Sequence, residues 1–367
     1  IKNSVSIGDH GYGVGLTRCL RMGQQGFWDF ETRHQKLESK KDLLTCLDEM
    51  IPWDEFRPML ENVYVRSRQP KAGRPPIDVI IMVKLLILQQ LYNIGDDELE
   101  YQVNDRLSFM RFLHLGLEDS VPDAKTVWSF RERLRKAELV EPLFEQFGAY
   151  LNATGYQAQC GQIVDATLVP VPKQRNSRED NATIKAGTVP ENWHDTPHKL
   201  AQKDVEARWT QKNGTSHYGY KKHINRDAGH GFIRRYIITD ASVHDSQVLG
   251  QLLDADNADD ELWADSAYLS IAIVTVLEMM GFESHINERA YRNRPLSETQ
   301  IADNRERSKT RAKVEHVFGS MVNEMGGKVI RTIGLARAET MLGLKNLTYN
   351  FKRYVFWLKQ DMAEATA

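Results

Sequence analysis

Asp165 stands inside QIVDATLVPV, a run whose neighbours are nearly all apolar or β-branched. Such a run reads as a buried strand. An ionised carboxylate at the edge of an apolar element is costly unless a cation or good hydrogen bonds compensate it. Two more acids stand in comparable places: Asp265 in the run ELWADSAYL, and Glu315 in the helical run TRAKVEHVFGSM. Two acids ending strands and one on a helix can converge and hold a pair of divalent ions. Paired ions clamp both the attacking and the leaving oxygen of a phosphodiester during in-line displacement. Taken singly, each acid also has a plain structural role open to it. Glu315 could pair with Arg311 one turn earlier, and Asp265 could cap the helix that follows it.

The chain has 367 residues, which suggests two domains. Its apolar and charged fractions, 41% and 27%, are those of a soluble globular protein. A net charge of −2 argues at first against a polyanionic partner, but charge is unevenly placed. Arg289–Arg353 holds fourteen Lys and Arg against six Asp and Glu, a local +8, whereas Asp254–Asp265 is acidic. A local basic surface is what phosphate contacts require. Cys19, Cys46 and Cys160 are odd in number and form no CxxC pair, which implies a reducing compartment without disulfide or zinc framework. IDVIIMVKLLILQQLY is too short and too polar to span a bilayer. No GxxxxGK[ST] loop occurs, so no nucleotide cofactor is expected. These features predict a cytoplasmic chain.

Residues 1–29 read as a flexible N-terminal extension, with Met22 a candidate start. Residues 30–154 have helical texture. Leu43, Leu44, Leu47 and Met50 recur at helix spacing before Pro52. The basic linker RSRQPKAGRPP then precedes a long apolar helix beginning near Pro76, a second helix follows Asp96–Asp97, and Asp123 is a good N-cap for a third. From Gly155 strands take over: QIVDATLVPV, a hairpin of HYGYKKHINRD and GFIRRYIITDAS turned at 228–231, the strand before Asp265, and FESHIN. Helices are expected after His244–Asp245, over Ile271–Met280 and over Arg305–Met325. Residues 171–216 read as a polar insertion, a mobile loop. The expectation is an α/β fold: a mixed five-stranded sheet flanked by helices in 155–360, behind an all-helical domain.

His217 and His223 share a strand face and could bind zinc, but zinc would want a third close ligand, and solvent- or DNA-facing imidazoles are the plainer reading. The helix Lys125–Lys136 carries Arg131, Arg133 and Arg135 and resembles the second helix of a helix-turn-helix, a geometry suited to a major groove. The stripe Leu344, Leu347, Phe351, Tyr354 and Leu358 reads as core packing.

From Met22 to about Lys359 the motifs resemble those of bacterial insertion-sequence DDE transposases of the IS-five type. The resemblance is carried by GFWDFETRHQKL, GRPPIDVIIMVKLLILQQLYNIGDDELEYQVNDRLSFMRFLHL, VPDAKTVWSFRERL, IVDATLVPVPKQRN, HYGYKKHINRD, TDASVHDSQVL, LWADSAYLS, RAKVEHVFGSM and LKNLTYNFKR. It implies an RNase H-like catalytic domain behind a helical DNA-binding domain, with Asp165, Asp265 and Glu315 as catalytic ligands of two Mg²⁺ ions, Mn²⁺ being able to substitute. It further implies double-stranded DNA as partner, both terminal inverted repeats and target, and a homodimer pairing the ends near the nucleoid. Lys125, Arg131, Arg135, Lys221, Lys222, Arg234, Arg235 and Arg311 are the candidate phosphate contacts. The wider group carries Tyr, Arg, Glu and Lys around the glutamate. Arg311 matches the Arg, whereas Ser308 and Val322 stand where the Tyr and Lys would be, with Lys313 or Lys328 able to compensate. Two alternatives remain: a DNA-binding regulator with a vestigial triad, against which the three intact acids argue, and a metal-dependent nuclease without strand transfer.

Overall fold

Aspartates open the N-terminal helices. Asp42 accepts from Thr45 N, Asp78 from Ile80 N and Ile81 N, and Asp123 from Thr126 N, so the helices Leu43–Met50, Val79–Tyr92 and Ala124–Lys136 begin where an oxygen satisfies otherwise unpaired N–H groups. The helical segment also holds Arg57–Glu61, Asp96–Asp105, Leu107–Phe112 and Val140–Ala153, with a 3-10 turn at Trp53–Phe56. The computed structural model describes residues 39–64, 76–212, 214–327 and 329–366, with Thr32, Gln35 and Lys36. The expected extension over 1–29, the basic linker up to Pro75, and Lys328 lie outside the described residues.

Six strands form one sheet where the sequence suggested five. They are β1 (Gln162–Pro170), β2 (Arg208–Lys212), β3 (Thr215–Asp227), β4 (Ile233–Asp240), β5 (Glu261–Ala264) and β6 (Glu283–Ile286). β3 pairs antiparallel with β1, β2 and β4, while β5 lies parallel between β1 and β6, so the pairing is mixed as expected. The additional strand, β2, lies in the stretch expected to be a mobile loop. That stretch is ordered: it holds the helices Arg178–Lys185, Glu191–His194 and Pro197–Leu200, and its Trp193 is fully buried. The buried Asp204 carboxylate ties it to the sheet by accepting from Ala207 N and the Tyr220 hydroxyl.

Residues Lys41–Ala367 form one unit, and its largest core explains why. The C-terminal helix Leu335–Glu364 buries Leu344, Leu347, Phe351 and Tyr354, as the stripe predicted, against Trp53, Phe56, Phe147 and one face of the sheet at Ile163, Ile224 and Trp263. Phe351 meets Trp53 and Phe147 edge-on at centroid distances of 5.4 and 4.7 Å. Truncating such a ring to alanine costs about 3–5 kcal/mol. Helical segment and sheet thus share packing. No single helix among the described residues is long and apolar enough to cross a membrane.

Candidate active site

Strand register sets the site. Ile163 of β1 pairs with Trp263 of β5, the last pair of that parallel ladder, and Asp165 and Asp265 each follow two residues beyond it. Strand neighbours lie about 4.8 Å apart. Ile163 and Trp263 enter the same core, which fixes their common face, and the twofold alternation carries Asp165 and Asp265 to that face as well. Asp165 is buried within β1 and Asp265 is half-buried just past β5. Asp265 also takes the structural role open to it, accepting from Ala267 N as cap of the turn Ser266–Tyr268.

The third acid comes from the far end of the chain. A single helix over 305–325 was expected. Instead, Glu298–Arg311 ends in a 3-10 turn at Ala312–Val314, and a new helix, Glu315–Asn323, starts on the acid itself. Val314, Phe318, Met321 and Met325 are buried as predicted, which leaves Glu315 exposed at the helix start. Arg311 reaches Asp165, donating from Nη1 to Oδ2 at 3.0 Å.

Burial pushes the Asp165 carboxyl up to about 6. The Ala166 N–H and the Arg311 guanidinium oppose that, while the Asp265 and Glu315 carboxylates add to it. Three acids thus share one electrostatic site that is short of positive charge. An all-oxygen donor set suits a hard divalent cation. As the side chains lie, no three His, Cys, Asp or Glu groups among the described residues stand close enough to hold one ion. Arg311 occupies one carboxylate where an ion would sit. The donor chemistry therefore fits, and convergence requires Arg311 to leave Asp165 and the exposed Glu315 side chain to turn inward.

The basic candidates divide by burial. Lys222 is 2% exposed and donates to Met321 Sδ and Asn346 Oδ1. Arg131, 7% exposed, grips both oxygens of Asp96 at 2.7 Å. Arg234 bonds Asp227 and the Tyr156 carbonyl, its side chain 6% exposed. These three cations hold the fold and leave the set of phosphate contacts. Lys221 is paired with Asp245 at 2.8 Å. Lys125 and Arg235 are exposed, and Arg135 is half-buried beside Glu132. His223 is fully buried against Thr239, and no metal-binding cluster occurs around it among the described residues. Sequence reasoning missed Tyr268, whose buried hydroxyl has no hydrogen-bond partner and feels the charges of Asp245, Asp165 and Asp265. Its place three residues after Asp265 was the available signal.

Two family models match this chain. A Transposase DDE domain model matches residues 156–351, more than half the chain, and spans all three acids. A Transposase domain (DUF772) model matches residues 31–133 of the helical segment. Among solved structures, the chain is similar to a piggyBac transposase synaptic complex with hairpin DNA at 12% identity and a TM-score of 0.42, covering 84% of this chain and 73% of that one. The chain belongs to the DDE transposase family.

Proposed function

We propose that the chain cuts DNA at the terminal inverted repeats of its own element and joins the freed 3′-hydroxyl to target DNA, with the ends paired by a homodimer. The observation that carries this reading is that Asp165 and Asp265 each follow the paired Ile163 and Trp263 by two residues on neighbouring parallel strands, and that Asp165 feels the charges of both Asp265 and Glu315. Two divalent ions, Mg²⁺ or Mn²⁺, when bound, supply charge stabilisation to the attacking and leaving oxygens of the phosphodiester. Asp165, Asp265 and Glu315 would hold them. Asp165 is held within β1 and Asp265 directly after β5, and burial excludes water from Asp165. No side-chain nucleophile is needed. Arg311, once off Asp165, is free to meet a phosphate beside the acids. On the helix Ala124–Lys136 the exposed cations open to backbone contacts are Lys125, Arg133 and Lys136, with Trp128 between them at 46% exposure.

The test is cleavage of DNA carrying the element's ends, with Mg²⁺ and with chelator, followed by joining of a labelled 3′ end to plasmid. Asp165→Asn, Asp265→Asn and Glu315→Gln should each abolish cleavage and leave end binding largely intact. Robust cleavage by any one of them removes that residue from the set, and cleavage without joining assigns a nuclease.

A further inference from the structure

The row of polar groups that begins at Asp165 within β1 does not stop at Asp265. β5 and β6 are parallel with Trp263 opposite His285 and Ala264 opposite Ile286, and Asn287 N continues the ladder by donating to Ala264 O at 3.2 Å. Asn287 is therefore level with Asp265. The face is fixed independently. The Trp263 and His285 rings stack at 5.1 Å with 18° between their planes, so the positions two residues on, Asp265 and Asn287, share that face too. Ile163, Trp263 and His285 form one row across three strands, and Asp165, Asp265 and Asn287 form the next.

The helix Glu298–Arg311 lies against this second row and touches both ends of it. Arg311 bonds Asp165, and one turn earlier Ser308 Oγ accepts from Asn287 Nδ2 at 3.0 Å. Asn304 holds the same helix to the same strand end through both the N–H and the carbonyl of Glu288, at 2.8 and 3.0 Å. The Asn287 amide is thus clamped on its nitrogen side. Its Oδ1 is buried and has no hydrogen-bond partner among the described residues. A buried acceptor left unpaired is destabilising and calls for an explanation, such as a bound ion or an ordered water. An amide oxygen is a normal ligand for a hard divalent cation.

We propose that Asn287 supplies a fourth oxygen to the metal site, beside Asp265 and on the ion that Asp265 holds. This rests on the metal-dependent reading above and adds to it a neutral ligand outside the three acids. A fourth carboxylate there would crowd charge around an already burdened Asp165, whereas an amide oxygen adds donor capacity without charge. The Ser308 contact orients the amide so that the oxygen, not the nitrogen, is left for the ion.

The experiment measures Mn²⁺ affinity of the full chain without DNA, from the free-ion electron paramagnetic resonance signal, with a thermal melt on each variant to establish folding. Asn287→Ala should weaken the affected Mn²⁺ affinity about 10-fold, the lower end for removing a group that tunes a metal site. Asn287→Asp should tighten it, because the oxygen stays and a charge is added. Ser308→Ala should change it by far less than Asn287→Ala. If Asn287 merely tethers the helix, Asn287→Ala and Ser308→Ala will act alike and Asn287→Asp will bring no gain; that overturns the proposal. Asp165→Asn is the control that separates the two levels of inference. Affinity lost in Asp165→Asn but unchanged in both Asn287 variants sinks the fourth ligand and leaves the metal site standing. Affinity unchanged in Asp165→Asn sinks both.

Discussion

Arg311 donates to Asp165 across 146 positions of sequence, and it joins the one buried carboxylate of the site to the helix that leads into Glu315. The guanidinium supplies the positive charge that burial and two neighbouring acids make Asp165 need. A divalent ion would compete for the same oxygen. Arg311→Met should therefore lower the melting temperature of ion-free protein, because a mostly buried carboxylate loses its partner. Breaking a fully buried pair costs about 3–5 kcal/mol, and the partial exposure of Arg311 puts this case below that range. Mn²⁺ should then restore more stability to the variant than it adds to wild type. Equal Mn²⁺ stabilisation of the two proteins would end the competition idea.

Charge on the helix Ala124–Lys136 divides between two jobs, and substitution should separate them. Arg131 clamps Asp96 and ties two helices together, so Arg131→Ala should show itself in melting, with a loss of about 3–5 kcal/mol. Lys125 and Lys136 face solvent. Reversing both to Glu should leave melting nearly unchanged, weaken duplex binding and flatten its salt dependence through lost counterion release. Binding isotherms at several salt concentrations check this. An unaltered salt slope would take the helix out of the DNA interface.

Lys345 is buried in the C-terminal helix, and its ammonium donates to the carbonyls of Met325 and Gly327 just past the Glu315–Asn323 helix. Burial, with the Arg331 charge adding to it, pushes this lysine down to about 8. The unfolded chain, titrating near 10.4, binds more protons than the folded one between these values, so stability rises with pH across that window. Below pH 8 the charged group is a net burden of about 3 kcal/mol. Lys345→Met should thus gain on wild type at pH 7, offset in part by two carbonyls left without a donor, and lose that advantage as pH approaches 10. Melting curves of both proteins over this range decide it; a pH-independent difference would refute the assignment.

Much of the fold was legible because local chemistry dictates it. Asp123 marks a helix start, the helix read from near Pro76 begins at Val79, and the apolar, β-branched run QIVDATLVPV leaves few conformations other than a strand. The edge strand β2 escaped because RWTQK, paired only through β3, has no apolar alternation to betray it. Its order comes from Trp193, covered by Lys199 and Lys203 of the same stretch, and from Asp204, which accepts from Tyr220 and Gly334. The acids were legible through their apolar surroundings, but Asn287 was not, since a neutral residue after FESHIN carries no such contrast. The destinations of the cations were hidden for a related reason. Lys221 and Lys222 are adjacent in sequence, yet strand alternation sends one to Asp245 and the other into the core against Met321.

Val322 stands seven residues after Glu315, near the end of the same helix, where the wider group carries a lysine. Seven residues make about two turns, so the two positions lie on nearly one face, about 10 Å apart along the axis. Were Val322 packed with Val314 and Phe318, a lysine there would disrupt the core. It is 40% exposed, while Val314 and Phe318 are buried, so the position tolerates charge. Val322→Lys should leave melting within about 0.5 kcal/mol of wild type, as exposed substitutions do. Its ammonium should meet a phosphate of DNA held beside the acids and tighten end binding by about 1 kcal/mol, the scale of a partly exposed charge contact, which is about fivefold in Kd. The salt dependence should steepen with it. End binding that stays at the wild-type level, with the protein fully folded, would mean that DNA does not pass over this face of the helix.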